Sequence, residues 1–487
     1  MKTVTIIGAG LGGLTAGALL SKDGYEVTVL EQHNIVGGSA TTFKRKGGFT
    51  CEVGLHEMDS AFEDKDKKKI FETLGVYDNI EFVKSDEFFR VSSKNIDFTM
   101  PDEKDEAIKM LSMKFPEQKE QILKYFLLIL KISDEFKKLS HARWWQYLFF
   151  PFIFSKILKY KKKSVKDVMD SLLDNEELKL ILNANVGYYN NKINSFSFLY
   201  HAIAQNSYFT GSGWFIKGGS QKLSNYLASV IKDNNGKIIT KANVIKINKD
   251  NKNIASVRYI HKKEEIELFS DIVISNMSPQ TTYEKANVEY VEEKVSASSL
   301  LTIYLGFNRN LKSVYGKKAY STFLFRDISS MDEYDENIDG DITQRGFVFV
   351  DYSQVDSGLT DESKSFGAIC TTDYIQDWEN LSKEDYKQKK KIVLQNYLDE
   401  LEKEYPNIKD YIELAEVATA KTMQRYLKTN NATAYGFKAT PEQFFRKPKV
   451  KSDKLNNLYF VGAWVIGGGF TPAIISGNLS YKKIINK

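Results

Sequence analysis

With 487 residues, 42% of them hydrophobic and 27% charged, the chain has the makeup of a folded globular protein too long for one simple core, which excludes disordered and collagen-like classes. Its 68 basic and 63 acidic side chains leave a net charge of only +5, too mild to imply a nucleic-acid partner. Two cysteines outside any CxxC pair, Cys51 and Cys370, and five histidines without ligand spacing give no reason to expect a disulfide framework or a metal site.

Residues 4–7 are a short apolar, β-branched run ending in glycine, the signature of a buried parallel strand. Residues 13–21 (GLTAGALLS) read as a helix that Gly24 closes, and residues 27–30 as a second buried strand, so the chain begins with one βαβ unit. Between 60 and 140 the pattern is charged and largely helical, with strand-like pieces at 81–90 and 96–100. Helices with an aromatic bias are expected over 164–205. A loop, helix and turn come next at 218–237, then alternating segments at 238–247 and 256–269 that look like a hairpin. A buried strand at 271–275 (DIVIS), strand-like pieces at 300–307 and 347–350, a helix at 385–404, a buried strand at 458–461 and a helix from 471 complete the series. No repeat or low-complexity tract interrupts it.

Gly8-Ala9-Gly10-Leu11-Gly12-Gly13 fits GxGxxG between the first strand and helix. Gly8 permits the tight turn, Gly10 lets backbone approach a pyrophosphate, and Gly13 lets helix and strand pack closely. The helix N-terminus offers free N–H groups and the positive end of its dipole to the phosphates. Glu31 ends the second strand, where an acidic side chain accepts from ribose hydroxyls and repels a 2′-phosphate. NADP is therefore the poorer occupant, while FAD and NAD both satisfy the motif.

The segment after Glu31 separates FAD from NAD. Gly37-Gly38-Ser39-Ala40-Thr41-Thr42-Phe43, then Gly48-Phe49 and Glu52-Val53-Gly54-Leu55-His56, resembles the continuation seen in phytoene desaturases, carotenoid isomerases and retinol saturases, flavoproteins related to the amine oxidases. Gly218-Gly219-Ser220, Leu223 and the strand around Val244 resemble that family's middle FAD-contact region. Residues 457–462 (NLYFVG), Gly467 to Gly469 and Ser476-Gly477 resemble its C-terminal flavin motif. The resemblance implies FAD, held by Gly8, Ala9, Gly10, Gly13, Glu31, Gly38, Ser39 and Val244 toward the adenosine end. At the flavin end it implies Gly462, Ala463, Gly469, Thr471, Pro472 and Ala473. Many amine oxidases carry an acidic residue where Ala463 stands, so the ribityl contact departs from the pattern. The expected class is α/β, α+β overall: a Rossmann-type FAD-binding domain (1–85, 206–290, 450–487) with an interleaved substrate domain of sheet plus helices (86–205, 291–449).

Residues 143–163 combine Trp144, Trp145, Tyr147 and four phenylalanines with Lys159, Lys161, Lys162 and Lys163. The run is short and broken by Pro151 and Lys156, so it suits a segment lying in the headgroup layer better than a spanning helix. With no signal-peptide pattern at the start, a cytoplasmic, peripherally membrane-associated protein is expected. Aromatic stretches at 196–200 and 208–215 are candidates to line an apolar tunnel. The resemblance implies a hydrophobic polyene or lipid substrate, acted on at its C–C double bonds by desaturation, saturation or isomerisation. His56 and Tyr435 are the candidate catalytic residues, with Arg425 and Tyr426 behind them. A flavin amine oxidase and a non-catalytic flavin or lipid carrier are the alternatives. The proton donor, electron partner and oligomeric state stay open.

Overall fold

A computed structural model describes residues 2–54, 56–140, 142–189, 192–446 and 449–486. Leu55 of the glycine-rich continuation therefore lies outside the described residues, as do the side chains of Trp145 and Tyr147.

Five parallel strands carry the glycine turn. β1 (Thr3–Ile7) lies between β2 (Glu26–Leu30) and Ile272–Ser275, with Lys237–Ile239 beyond β2 and Leu458–Phe460 on the opposite edge. Valine and isoleucine fill β1 and β2 because both faces of this sheet are covered. One face meets α1 (Leu11–Lys22), which is buried almost all round; the helices Gln221–Asp233 and Phe470–Ile485 pack against it. Small residues on α1 set how closely they approach. A Cβ at Gly17 would lie 2.9 Å from Ile231 Cδ1, and one at Gly477 would lie 2.6 Å from the Gly12 carbonyl.

The other large sheet has seven strands, running from Ile412–Ala418 through Ser299–Phe307, Ser365–Asp373, Phe347–Asp351, Ser321–Leu324 and Phe89–Ser92 to Asp97–Met100. Every pairing in it is antiparallel except Ser321–Leu324 with Phe89–Ser92. Helices Lys119–Ser140, Val165–Leu172, Glu176–Asn183 and Phe198–Gly211 accompany it. All five parallel strands come from the three segments expected to bind nucleotide, and all seven others from the two substrate segments. We propose that same discontinuous division into domains, although one hydrophobic core runs continuously through both.

The structure redraws one expectation. Residues 243–247 do pair antiparallel with 257–260, but the expected first strand is split, and Lys237–Ile239 belongs to the parallel sheet. A separate meander of Asn243–Asp250, Asn253–His261 and Glu264–Phe269 comes after it. Lys241, at φ 56°, makes the break that alternation alone does not reveal.

Candidate active site

The glycine turn sits at the carboxyl edge of the parallel sheet, where the chain direction on either side of β1 diverges and a crevice opens. Gly8 has φ +94°, and its N–H donates to the Leu30 carbonyl at 2.8 Å. A Cβ at Gly13 would stand 2.3 Å from the Gly8 carbonyl, so α1 seats directly on the turn. The N-cap of α1 is Gly10, without a side-chain cap, which leaves the first helical N–H groups facing outward.

Glu31 is almost fully buried. Its carboxylate accepts from the backbone N–H of Ala9 at 2.7 Å and of His33 at 2.9 Å. It thereby ties the ends of β1 and β2 together while lining the crevice. Ala9 is buried with its N–H committed to Glu31 and its carbonyl to Gly37 N–H, so it shapes the turn without lining the cavity; Gly13 serves packing in the same way.

The distant segment arrives at the same place. Gly462 has φ +87°, and its N–H donates to Ser476 Oγ at 2.7 Å. A Cβ at Gly12 would lie 2.6 Å from the Gly462 nitrogen, so these two parts of the chain touch backbone to backbone. Asn276, directly after the strand Ile272–Ser275, joins them. Its amide accepts from Gly10 N–H and donates to the Val461 carbonyl, both at 3.2 Å, and its own N–H donates to Ile7. Sequence reasoning misses Asn276. Its one signal is position, immediately past a buried strand that neighbours β1.

Together these groups wall a cavity of about 550 Å³, within the range of cofactor sites. Gly8, Gly10, Glu31, Gly38, Ser39 and Val244 line one end, and Gly462, Ala463, Gly469, Ala473 and Tyr435 the other. The helix Phe470–Ile485, with Gly469 as its N-cap, opens one residue before the expected Thr471. Thr471 and Pro472 do not line the cavity. The Thr471 hydroxyl donates to Asp59 at 2.7 Å and accepts from Lys67 Nζ at 2.8 Å, and the wholly buried Lys67 also donates to the Asp59 carbonyl. Tyr426 and Met423, on Ala420–Leu427, close the Glu31 end, where the Tyr426 carbonyl meets the side chains of Gln32 and His33. Arg425 lies against the Tyr426 ring, off the cavity lining.

Two small cavities of about 30 Å³ each adjoin the large one. The first lies among Tyr189, Tyr200, Phe437, Phe444 and Trp464. The second lies between the seven-stranded sheet and residues 187–188, and His56 faces it. His56 stacks on Tyr188 at 5.6 Å, and its Nδ1 meets the Tyr352 hydroxyl at 3.2 Å. Burial lowers its pKa to about 4, so the ring is neutral at neutral pH. Beside it, burial pushes the Glu57 carboxyl up to about 8, against the opposing Ser85 hydrogen bond. Tyr435 borders all three cavities, which brings both candidate catalytic residues to one wall. The tunnel-candidate stretches contribute only Tyr200 to these walls; Phe196, Phe198 and Phe209 are core.

The description of flavin containing amine oxidoreductases matches residues 11–480. The chain belongs to that family. It is 24% identical to the all-trans-retinol 13,14-reductase of Danio rerio, over 99% of this chain and 86% of the relative. To the chloroplastic prolycopene isomerase of Daucus carota it is 27% identical, over 94% of this chain and 75% of the relative. A solved oxidoreductase from Methanosarcina mazei shares the fold, with a TM-score of 0.62 at 18% identity and the whole of both chains covered. As a flavin containing amine oxidoreductase the chain is an FAD enzyme, and the crevice fits that cofactor. Positive-φ glycines at 8, 38, 462 and 469 keep the walls free of Cβ atoms, an uncapped helix N-terminus faces the middle, and a buried carboxylate stands at one end.

Proposed function

We propose that this flavoenzyme acts on C–C double bonds of a hydrophobic polyene, reached from a membrane surface. One observation carries the reading. The flavin end of the crevice opens, past Leu300 and Tyr435, on a chamber walled by Phe323, Phe325, Tyr334 and Ile338, with no charged side chain among the described residues that line it. Such walls suit an unsaturated hydrocarbon and hold no carboxylate to pair with an ammonium group.

Gly8, Gly10, Glu31, Gly38, Ser39 and Val244 would hold the adenosine and pyrophosphate portions, and Gly462, Ala463, Gly469 and Ala473 the flavin portion. When bound, FAD supplies the two-electron chemistry of the double bond. The chain's own contribution is to orient: Tyr435 presses against Gly468, fixing its ring at the border between crevice and chamber. His56, neutral and held by Tyr352, is placed to exchange a proton through its other ring nitrogen. The likeness to the two named relatives, a retinol reductase and a prolycopene isomerase, supports the substrate class.

The membrane contact rests on residues 144–163. No helix among the described residues is long and apolar enough to cross a membrane. Three short helical pieces, Trp144–Tyr147, Phe150–Ile153 and Ser155–Tyr160, run through this segment instead; Phe154 and Ile157 are buried, while Trp144, Leu148, Phe149 and Phe152 are exposed, Phe152 at 84%. Exposed Lys161, Lys162 and Lys163 adjoin them, the pairing of apolar and cationic groups that an anionic bilayer surface takes up.

The purified protein, loaded with FAD that is reduced with dithionite in the absence of oxygen, is to be incubated with all-trans-retinol and with prolycopene and the products separated by chromatography; the oxidised enzyme in air is given putrescine. A reduced or isomerised polyene is expected from at least one. Peroxide formation with putrescine, and no change in either polyene, would replace this reading with a soluble amine oxidase.

A further inference from the structure

The chamber beside His56 is built to be closed. Its far walls, Phe323, Phe325, Tyr334, Ile338 and Val348, are each at most 5% exposed, and Tyr334 and Ile338 come from the helix Met331–Asp339, which seals the end. Its half-buried lining residues, among them Leu300, Tyr435, His56 and Tyr188, lie toward the crevice. Leu300 and Tyr435 are the two side chains that chamber and crevice share, so they frame its mouth. At about 30 Å³ it has room for roughly one small branched group, or two waters, and none for a further isoprene unit.

We propose that this chamber is a length gauge: it takes the end of the polyene beyond the reacting double bond and limits it to a short, branched, apolar piece. This rests on the polyene reading above and deepens it by stating where along the substrate the chemistry falls. A chain lying along the flavin end of the crevice meets Tyr435, and whatever continues past the ring enters a closed space whose walls are strand and helix core. Those walls cannot retreat cheaply. Phe323 packs edge-to-face on Phe89 at 5.6 Å and on Tyr188 at 5.1 Å, while Phe325 packs on Tyr334 at 5.1 Å. A longer tail must displace them or leave the double bond short of its place. The other small cavity, which shares Tyr435, is lined by Phe444, which packs on Phe136 and on the exposed Phe445. The longer part of the substrate has its exit there.

The test uses the FAD-loaded full chain and a series of linear all-trans polyene alcohols that differ by one isoprene unit at one end. Binding is read from the perturbation of the flavin absorption band, and turnover is read separately. For the wild type, affinity is expected to fall at least tenfold once the end outgrows the chamber. Ile338→Ala, and independently Phe323→Leu, should soften that break, raising the affinity of the first excluded member relative to that of the shortest. FAD content and the thermal midpoint report that each variant folds; Phe323→Leu removes less volume and keeps the test open should Ile338→Ala fail to fold. An equally sharp break in the wild type and in a folded, FAD-loaded variant would overturn the gauge and leave the polyene reading standing. If no member of the series perturbs the wild-type flavin, the polyene reading itself falls and takes the gauge with it.

Discussion

Gly13 shows how much one missing methyl group decides. A Cβ there would stand 2.3 Å from a backbone carbonyl that has no rotamer to yield, so Gly13→Ala must push α1 off the turn. The expected result is a protein that purifies without FAD and melts at a lower temperature, measured by flavin content and calorimetry. Lys67 makes the opposite case, a charge that must stay. Buried with its ammonium on Thr471 and 4.0 Å from the Asp59 carboxylate, it balances that charge, so Lys67→Met leaves a poorly compensated carboxylate at a cost of about 3–5 kcal/mol, read by denaturant unfolding. The double variant Asp59→Asn with Lys67→Met should recover part of the loss. Glu57 gives a pH signature. Its folded pKa of about 8 lies above the ordinary 4.5, so between those values the folded protein binds a proton that the unfolded chain has released. Stability therefore falls as pH rises through that window and levels off above 8. Glu57→Gln should flatten the slope of melting temperature against pH, and an unchanged slope would assign the effect elsewhere. Neither Lys67 nor Glu57 can be singled out from sequence, because burial and partners belong to the tertiary fold. Glu31 can, because its distance from the glycines carries the geometry of a βαβ unit within it.

Among the elements, those of the nucleotide end are the most legible. β1, α1 and β2 fall within two residues of where apolar runs and glycines place them, since each is buried by its own neighbours. The helix Phe470–Ile485 is legible as well, but its Thr471, expected at the cofactor, bonds instead to Asp59 and Lys67, partners some four hundred residues away in sequence. The aromatic stretch at 144–158 reads differently with its burial known. Removing it whole would also strip Phe154 and Ile157 from the core, so substitution is the cleaner test. Replacing Trp144, Leu148, Phe149 and Phe152 together by serine should abolish co-sedimentation with vesicles containing phosphatidylserine and leave the FAD content unchanged. Wild-type binding should weaken in high salt, because screening removes the lysine contribution. Binding by the serine variant equal to wild type would move the contact to another face.

For the molecule as a whole, cofactor and fold are one equilibrium. A ligand that fastens the folded state alone raises its stability by about 2.7 kcal/mol at one hundred times its dissociation constant, so the melting temperature should climb steadily with added FAD. Which strands share each of the two large sheets can be foreseen, because each draws on its own sequence segments. Their shared cavities cannot, because those depend on where Tyr435 and Asn276 come to rest. The backbone contact of Gly12 with Gly462 has a further consequence for the order in which the protein is made. A ribosome delivers the glycine turn first, and the other half of the pocket is made only about 450 residues later. Flavin capture must therefore be a late event, and a nascent chain halted before residue 458 should emerge colourless however much of its first domain has already taken shape.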